Sequence, residues 1–180
     1  MNLGIESVEI FHDVYEVHNN KLWDIYRNGG IAKEILRGRR FYLTLKDFGV
    51  DDPELAETIG MDYVTQSPLK VNLFPQALEV LDYLYPKYVL HIITNGFQEV
   101  QDVKMEVSGL AGYFTTMVTS EEAGIKKPNE EIFYYALRKA GAVALGSLMI
   151  GDDPDVDILG AKKVGIDQVL FDPNANFVVN

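Results

Sequence analysis

Three short polar clusters carry residue types able to do chemistry. The densest is Gly151-Asp152-Asp153-Pro154-Asp155-Val156-Asp157, four carboxylates within six residues, directly after the apolar run Leu148-Met149-Ile150. Like charges this close repel, so the arrangement calls for a compensating cation, either a hard metal or a lysine. Asp153, Asp155 and Asp157 alternate as in a calcium loop. Ile158 stands where that loop needs glycine, however, and Val164 where it needs a bidentate glutamate. Asp152 is the candidate metal ligand, while Asp153 or Asp155 could do no more than cap the helix that follows. The second cluster is Gly124-Ile125-Lys126-Lys127-Pro128, in which proline fixes the chain after Lys127 and one ammonium could face an anionic centre. An exposed, solvated lysine pair is the other reading. The third, Thr94-Asn95-Gly96, offers a hydroxyl and turn N–H groups to a phosphate oxygen, or is simply a turn.

All three clusters follow, or lie between, segments that read as strands of an α/β unit. Tyr88-Val89-Leu90-His91-Ile92-Ile93 is rich in branched residues and predicts a fully buried parallel strand, with His91 a satisfied core histidine. Further strands are predicted at Thr116–Val118, at Ser147–Ile150 (also buried) and at Gln168–Phe171. Helices are predicted at Pro75–Leu84, Gln98–Ser108, Glu130–Ala140 and Asp155–Val164. That alternation argues one open parallel sheet flanked by helices, and ligands of such sheets bind beyond the carboxyl ends of the strands. The first 65 residues or so lack strand signals. Apolar side chains recur at helical spacing from Phe11 to Tyr26. A second helix spans about Ala32–Asp47, with Ile35, Leu36, Arg39, Tyr42, Leu43 and Phe48 at intervals that put them on one stripe, and a third follows Asp51-Asp52-Pro53. His12 and His18 read as helix-surface residues.

Composition narrows the function classes. The 180 residues are 47% hydrophobic and 24% charged, as in a globular chain with a sizeable core. Twenty-seven acidic against 16 basic residues give a net charge of −11, which repels nucleic-acid polymers. The absence of cysteine removes disulfide, thiolate-nucleophile and zinc-thiolate chemistry. No apolar stretch reaches the ~18 residues of a membrane span and no signal-peptide order is present, so a soluble, cytoplasmic protein with no membrane partner is expected. The oligomeric state is left open.

Taken in order, Ile92-Ile93-Thr94-Asn95-Gly96-Phe97, then Gly124-Ile125-Lys126-Lys127-Pro128 with Ile132-Phe133, then Met149-Ile150-Gly151-Asp152-Asp153 through Asp157-Ile158 and Gly160-Ala161 resemble the second, third and fourth motifs of haloacid-dehalogenase-superfamily hydrolases. Leu22-Trp23-Asp24-Ile25-Tyr26, Gly29 and Arg40-Phe41 are similar to the helical cap of the branch that includes pyrimidine 5′-nucleotidases. The resemblance implies a helical cap at 1–68 and a Rossmann-like, three-layer α/β core at 69–180. Thr94 would bind the transferring phosphoryl group, helped by the N–H groups of Asn95 and Gly96. Lys127 would neutralise charge on the nucleophile and phosphoryl group, Asp152 would hold Mg²⁺, and Asp157 would support the metal or orient Lys127. The implied reaction is Mg²⁺-dependent hydrolysis of small phosphorylated metabolites, such as nucleoside 5′-monophosphates. The acidic Gly151-Asp152-Asp153 form favours phosphatase over 2-haloacid dehalogenase.

The family's first motif, an apolar strand ending in Asp-x-Asp-x-Thr whose first Asp is the nucleophile, has no counterpart. In Ile10-Phe11-His12-Asp13-Val14-Tyr15, Tyr15 stands where the second Asp belongs and the periodicity is helical. That strand would lie at the sheet centre, between those ending at Ile93 and Ile150. The expectation is a fragment of a longer hydrolase, with a catalytically silent Mg²⁺- and phosphate-binding module as the alternative. Phe177-Val178-Val179 would begin an unfinished strand.

Overall fold

A computed structural model describes residues 7–174. These residues divide after Val71 into two compact units. The first holds three helices, α1 (Val8–Arg27), α2 (Lys33–Asp47) and α3 (Pro53–Gln66). Their boundaries follow local chemistry. The Ser7 hydroxyl accepts from Ile10 N–H and the Asp52 carboxylate from Leu55 N–H, with Pro53 in the first turn of α3. Gly49, at φ +78°, ends α2 in a left-handed conformation that costs glycine little.

Tyr15, Phe41, Leu45 and Ala56 form the core of this unit, with the Tyr15 and Phe41 rings stacked at 5.0 Å. Arg40 is buried to 4% exposure, its guanidinium 4.7–5.9 Å from the ring centroids of Tyr63, Phe41 and Tyr15, and Nη1 donates to Asn19 Oδ1 at 3.1 Å. The expected stripe on α2 is therefore corrected. Ile35 and Arg39 are exposed, and the inward face is Leu36, Arg40, Phe41, Thr44 and Leu45. Aromatic faces and an amide oxygen make an arginine acceptable in the core, and the Thr44 hydroxyl donates to the Arg40 carbonyl. His18, expected on the surface of α1, makes a 2.8 Å contact with Asp47 at the end of α2.

The second unit alternates α4 (Ala77–Leu84), β1 (Leu90–Thr94), α5 (Gln98–Val107), β2 (Phe114–Thr119), α6 (Ser120–Ala123), α7 (Glu130–Ala140), β3 (Leu148–Gly151), α8 (Leu159–Lys163) and β4 (Asp167–Leu170). β1 runs parallel to β2 with Ile92 opposite Met117, and β3 parallel to β4 with Met149 opposite Gln168. Val118, Ile132, Phe133, Ala136, Ala161, Val164 and Ile166 form the core, against which Ile93 of β1 and Met149 of β3 pack.

Four sequence expectations change here. Among the described residues there are two two-stranded parallel sheets rather than one open sheet, because no strand joins β1 to β3. β1 is half-buried throughout rather than fully buried, and Tyr88 and Val89 fall outside it, exposed. In β3 burial alternates, with Leu148 and Ile150 exposed at 56% and 52% while Met149 faces the core. One partner strand and one covered face produce this pattern; full burial needs both. The helix expected at Asp155–Val164 starts as a π turn, Pro154–Ile158, in which the Asp153 carbonyl accepts from both Asp157 N–H and Ile158 N–H. Phe177-Val178-Val179 lie outside the described residues. No helix among the described residues is long and apolar enough to cross a membrane.

Gly160, in α8, sits against the fully buried Phe133 ring, where an added Cβ would lie 2.7 Å from two ring carbons. Gly160→Ala is therefore expected to lower stability by about 1–3 kcal/mol, opposite in sign to its helix propensity. Urea unfolding of the two proteins checks this.

Candidate active site

The carboxyl ends of β1 and β3 are joined through Lys127. Its side chain is 10% exposed, and Nζ donates to Asp157 Oδ1 at 2.6 Å, the Asp157 side chain being 7% exposed. The reading of Lys126-Lys127 as a solvated pair is thus corrected for Lys127, which is buried because a fixed carboxylate receives it. Two short-range devices place that carboxylate. The Asp153 carboxylate accepts from Asp155 N–H and Val156 N–H at 3.0 and 2.9 Å, capping the π turn and turning Asp157 back toward β3. Gly151 leaves room for it, since a Cβ there would lie 2.7 Å from Asp157 Cγ. Asp153 N–H also donates to Asp157 Oδ2, at 3.3 Å.

Thr94 closes β1, and its Oγ1 accepts from Gly96 N–H at 3.0 Å. The hydroxyl proton remains to be donated elsewhere, whereas Gly96 N–H, expected on phosphate, is turned to Thr94. The Asn95 side chain does something the sequence did not reveal. Nδ2 donates to the Lys127 carbonyl at 2.9 Å and Oδ1 accepts from Lys127 N–H at 2.8 Å. A polar lattice braces this corner. Thr119 Oγ1 donates to Gln98 Oε1 at 2.6 Å, and Glu121 Oε2 accepts from Gln98 N–H at 2.8 Å, so a carboxylate of the chain caps the first turn of α5. The pairing of Gln98 with Thr119 does not stand out in sequence, because the two residues lie 21 positions apart. His91 is no part of the site. It bonds Thr116 Oγ1 at 2.7 Å, and burial pushes its pKa down, favouring the neutral ring.

Asp152 is exposed. Among the described residues no three histidine, aspartate or glutamate side chains converge as a metal cage. Mg²⁺ keeps several waters and takes only one or two carboxylates, so Asp152 suits it as one oxygen donor of a shared site, not as a complete one. Of the expected residues, the structure joins Asn95, Lys127 and Asp157 by direct bonds, sets Thr94 and Gly96 on the adjoining turn, and leaves Asp152 at the rim of the acidic turn.

Residues 12–171 match the family described as haloacid dehalogenase-like hydrolase. The chain belongs to that family. A similar curated relative is pyrimidine 5′-nucleotidase YjjG of Escherichia coli strain K12, 35% identical over 161 residues that cover 89% of this chain and 69% of the relative. Pyrimidine 5′-nucleotidase PynA of Streptococcus pneumoniae strain R6 is 30% identical over 176 residues, 95% of this chain and 72% of the relative. Among solved structures, magnesium-bound YfnB from Bacillus subtilis superposes with a TM-score of 0.86 at 25% identity, covering 98% of this chain and 77% of that one. This hydrolase-family chain therefore has the α/β fold of its relatives.

Removing one member of a buried ion pair strands the other in a poorly solvating site. Lys127→Met should cost about 3–5 kcal/mol in denaturant unfolding, and Lys127→Met combined with Asp157→Leu should recover most of that loss.

Proposed function

We propose that this chain is the phosphate-handling part of a phosphoric monoester hydrolase acting on small phosphorylated metabolites, with nucleoside 5′-monophosphates as the leading substrate class. The observation that carries the reading is the buried Lys127–Asp157 pair, tied through Asn95 to the Thr94 turn at the strand ends. A buried ammonium tied to the turn that carries a hydroxyl donor suits the spread negative charge of a transferring phosphoryl group. The likeness to two pyrimidine 5′-nucleotidases supports the substrate class. Mg²⁺ bound with the help of Asp152 would neutralise further phosphate charge.

On this reading the chain's own residues divide the work. Thr94 donates its hydroxyl proton to a phosphoryl oxygen. Lys127, with one ammonium proton engaged by Asp157, directs the others at the same group. Asp157 keeps the ammonium in place, and Asp152 supplies an oxygen to the metal. The helical unit before Asn72 takes the part of the cap, and a chain free of cysteine suits a cytoplasmic setting.

The nucleophile of this family is the first Asp of an Asp-x-Asp strand, which the sequence does not contain. We propose that such a strand belongs to a longer hydrolase of which this chain is part. Half-paired β1 and β3, with Leu148 and Ile150 exposed, support this. A catalytically silent module would have the same phosphate site, whereas dehalogenation is disfavoured by the acidic Asp152–Asp157 turn.

Titration of the chain with uridine 5′-monophosphate in Mg²⁺, followed by ³¹P NMR, tests the reading. Saturable binding is expected, weakened about tenfold or more by Thr94→Val through loss of one hydrogen bond to a charged group. Binding indifferent to Thr94 would sink the phosphate assignment. Turnover of p-nitrophenyl phosphate is expected to stay at background, since loss of a nucleophile can cost on the order of 10⁶ in rate. Turnover that disappears in Asp152→Ala would show that the chain carries a nucleophile of its own.

A further inference from the structure

We infer that Asn95 is a positioning residue for Lys127, acting through the backbone rather than on the phosphate. Its carboxamide turns both its NH₂ and its C=O to the same distant residue. Nδ2 donates to Lys127 C=O at 2.9 Å and Oδ1 accepts from Lys127 N–H at 2.8 Å. Holding both backbone groups of one residue restrains its φ and ψ together, which sets the direction in which its side chain leaves. A lysine side chain has four rotatable bonds and loses much rotamer freedom when buried, so a small change at its root displaces the ammonium widely.

The clamp is itself held. Ser120, buried at the end of β2, approaches the Asn95 carbonyl at 3.5 Å. Thr119 and Glu121 on either side of Ser120 fix Gln98 at the start of α5. The end of β1 is thus locked to the end of β2, and Asn95 passes that rigidity to the Lys127 loop 32 residues away. Asp157 receives the ammonium from the other direction, at 2.6 Å. Lys127 is therefore held at both ends, by Asn95 at its backbone and by Asp157 at its tip.

The functional meaning of this clamp rests on the role of Lys127 proposed above, but its test needs no phosphate. Reductive methylation of the chain, followed site by site with tandem mass spectrometry, reads the accessibility of the Lys127 amine, with Lys139 as control. Lys139 is held in the same unit by Glu122 and the Met117 carbonyl, neither of which bonds the Asn95 side chain. Asn95→Ala removes both bonds and is expected to raise the Lys127 methylation rate on the order of tenfold, with Lys139 unchanged. Asn95→Asp keeps the acceptor for Lys127 N–H and loses the donor to its carbonyl, so it should give an intermediate rate. Unchanged Lys127 labelling in both variants overturns the proposal. So does an equal rise at Lys127 and Lys139, which would make Asn95 a general stabiliser. If Asn95→Ala unfolds, the Asp variant decides by the same ratio. Raised Lys127 labelling together with failure of nucleotide binding in the native chain would refute the phosphate reading and leave the clamp standing.

Discussion

The buried ion pair between Lys127 and Asp157 is the constraint on which the second unit is organised. Two opposite charges withdrawn from water are tolerable only when their geometry is good and their other hydrogen-bonding groups are occupied. Much of the surrounding structure meets that requirement. Gly151 lets the carboxylate lie close to β3, Asp153 winds the π turn that aims it, and Asn95 holds the lysine backbone. The pair also connects two sheets that share no hydrogen-bonded strand among the described residues. Electrostatics and a common apolar core do there what a ladder of backbone bonds would otherwise do.

The same half-paired sheets explain why burial in this unit is lopsided. Ile93 and Met149 face the core of Phe133, Ile132 and Val118, while Leu148, Ile150 and Val169 are exposed. An apolar strand end with one partner strand leaves N–H and C=O groups without ladder bonds, a configuration that pairs readily with another strand.

Legibility in the sequence differed with the range of the interaction. The helices of the first unit are readable because their signals are local: apolar side chains recurring at helical spacing and Asp52-Pro53 at the start of α3 act on near neighbours. The inward face of α2 was misread, since an arginine at position 40 counts as polar until three aromatic rings and Asn19 are brought around it. Lys127 was legible as a candidate but not as buried. His91 was read as a satisfied core histidine, and its partner Thr116, 25 residues on, could be named only from the fold. The Asn95 clamp had no sequence signal, because an Asn in a Thr-Asn-Gly turn is equally an ordinary turn former.

By itself the sequence determined the order of helices and strands, the helical character of the first unit, the acidic turn after β3 and membership of the hydrolase family. These depend on periodicity, capping and ordered motifs, which are properties of neighbouring residues. Tertiary structure alone decided that Lys127 is buried against Asp157, that Asn95 spends both groups of its amide on Lys127, and that the strands form two sheets. Each of those outcomes depends on groups about 20 or more residues apart competing with water for the same partners, and only the folded chain fixes which contact wins.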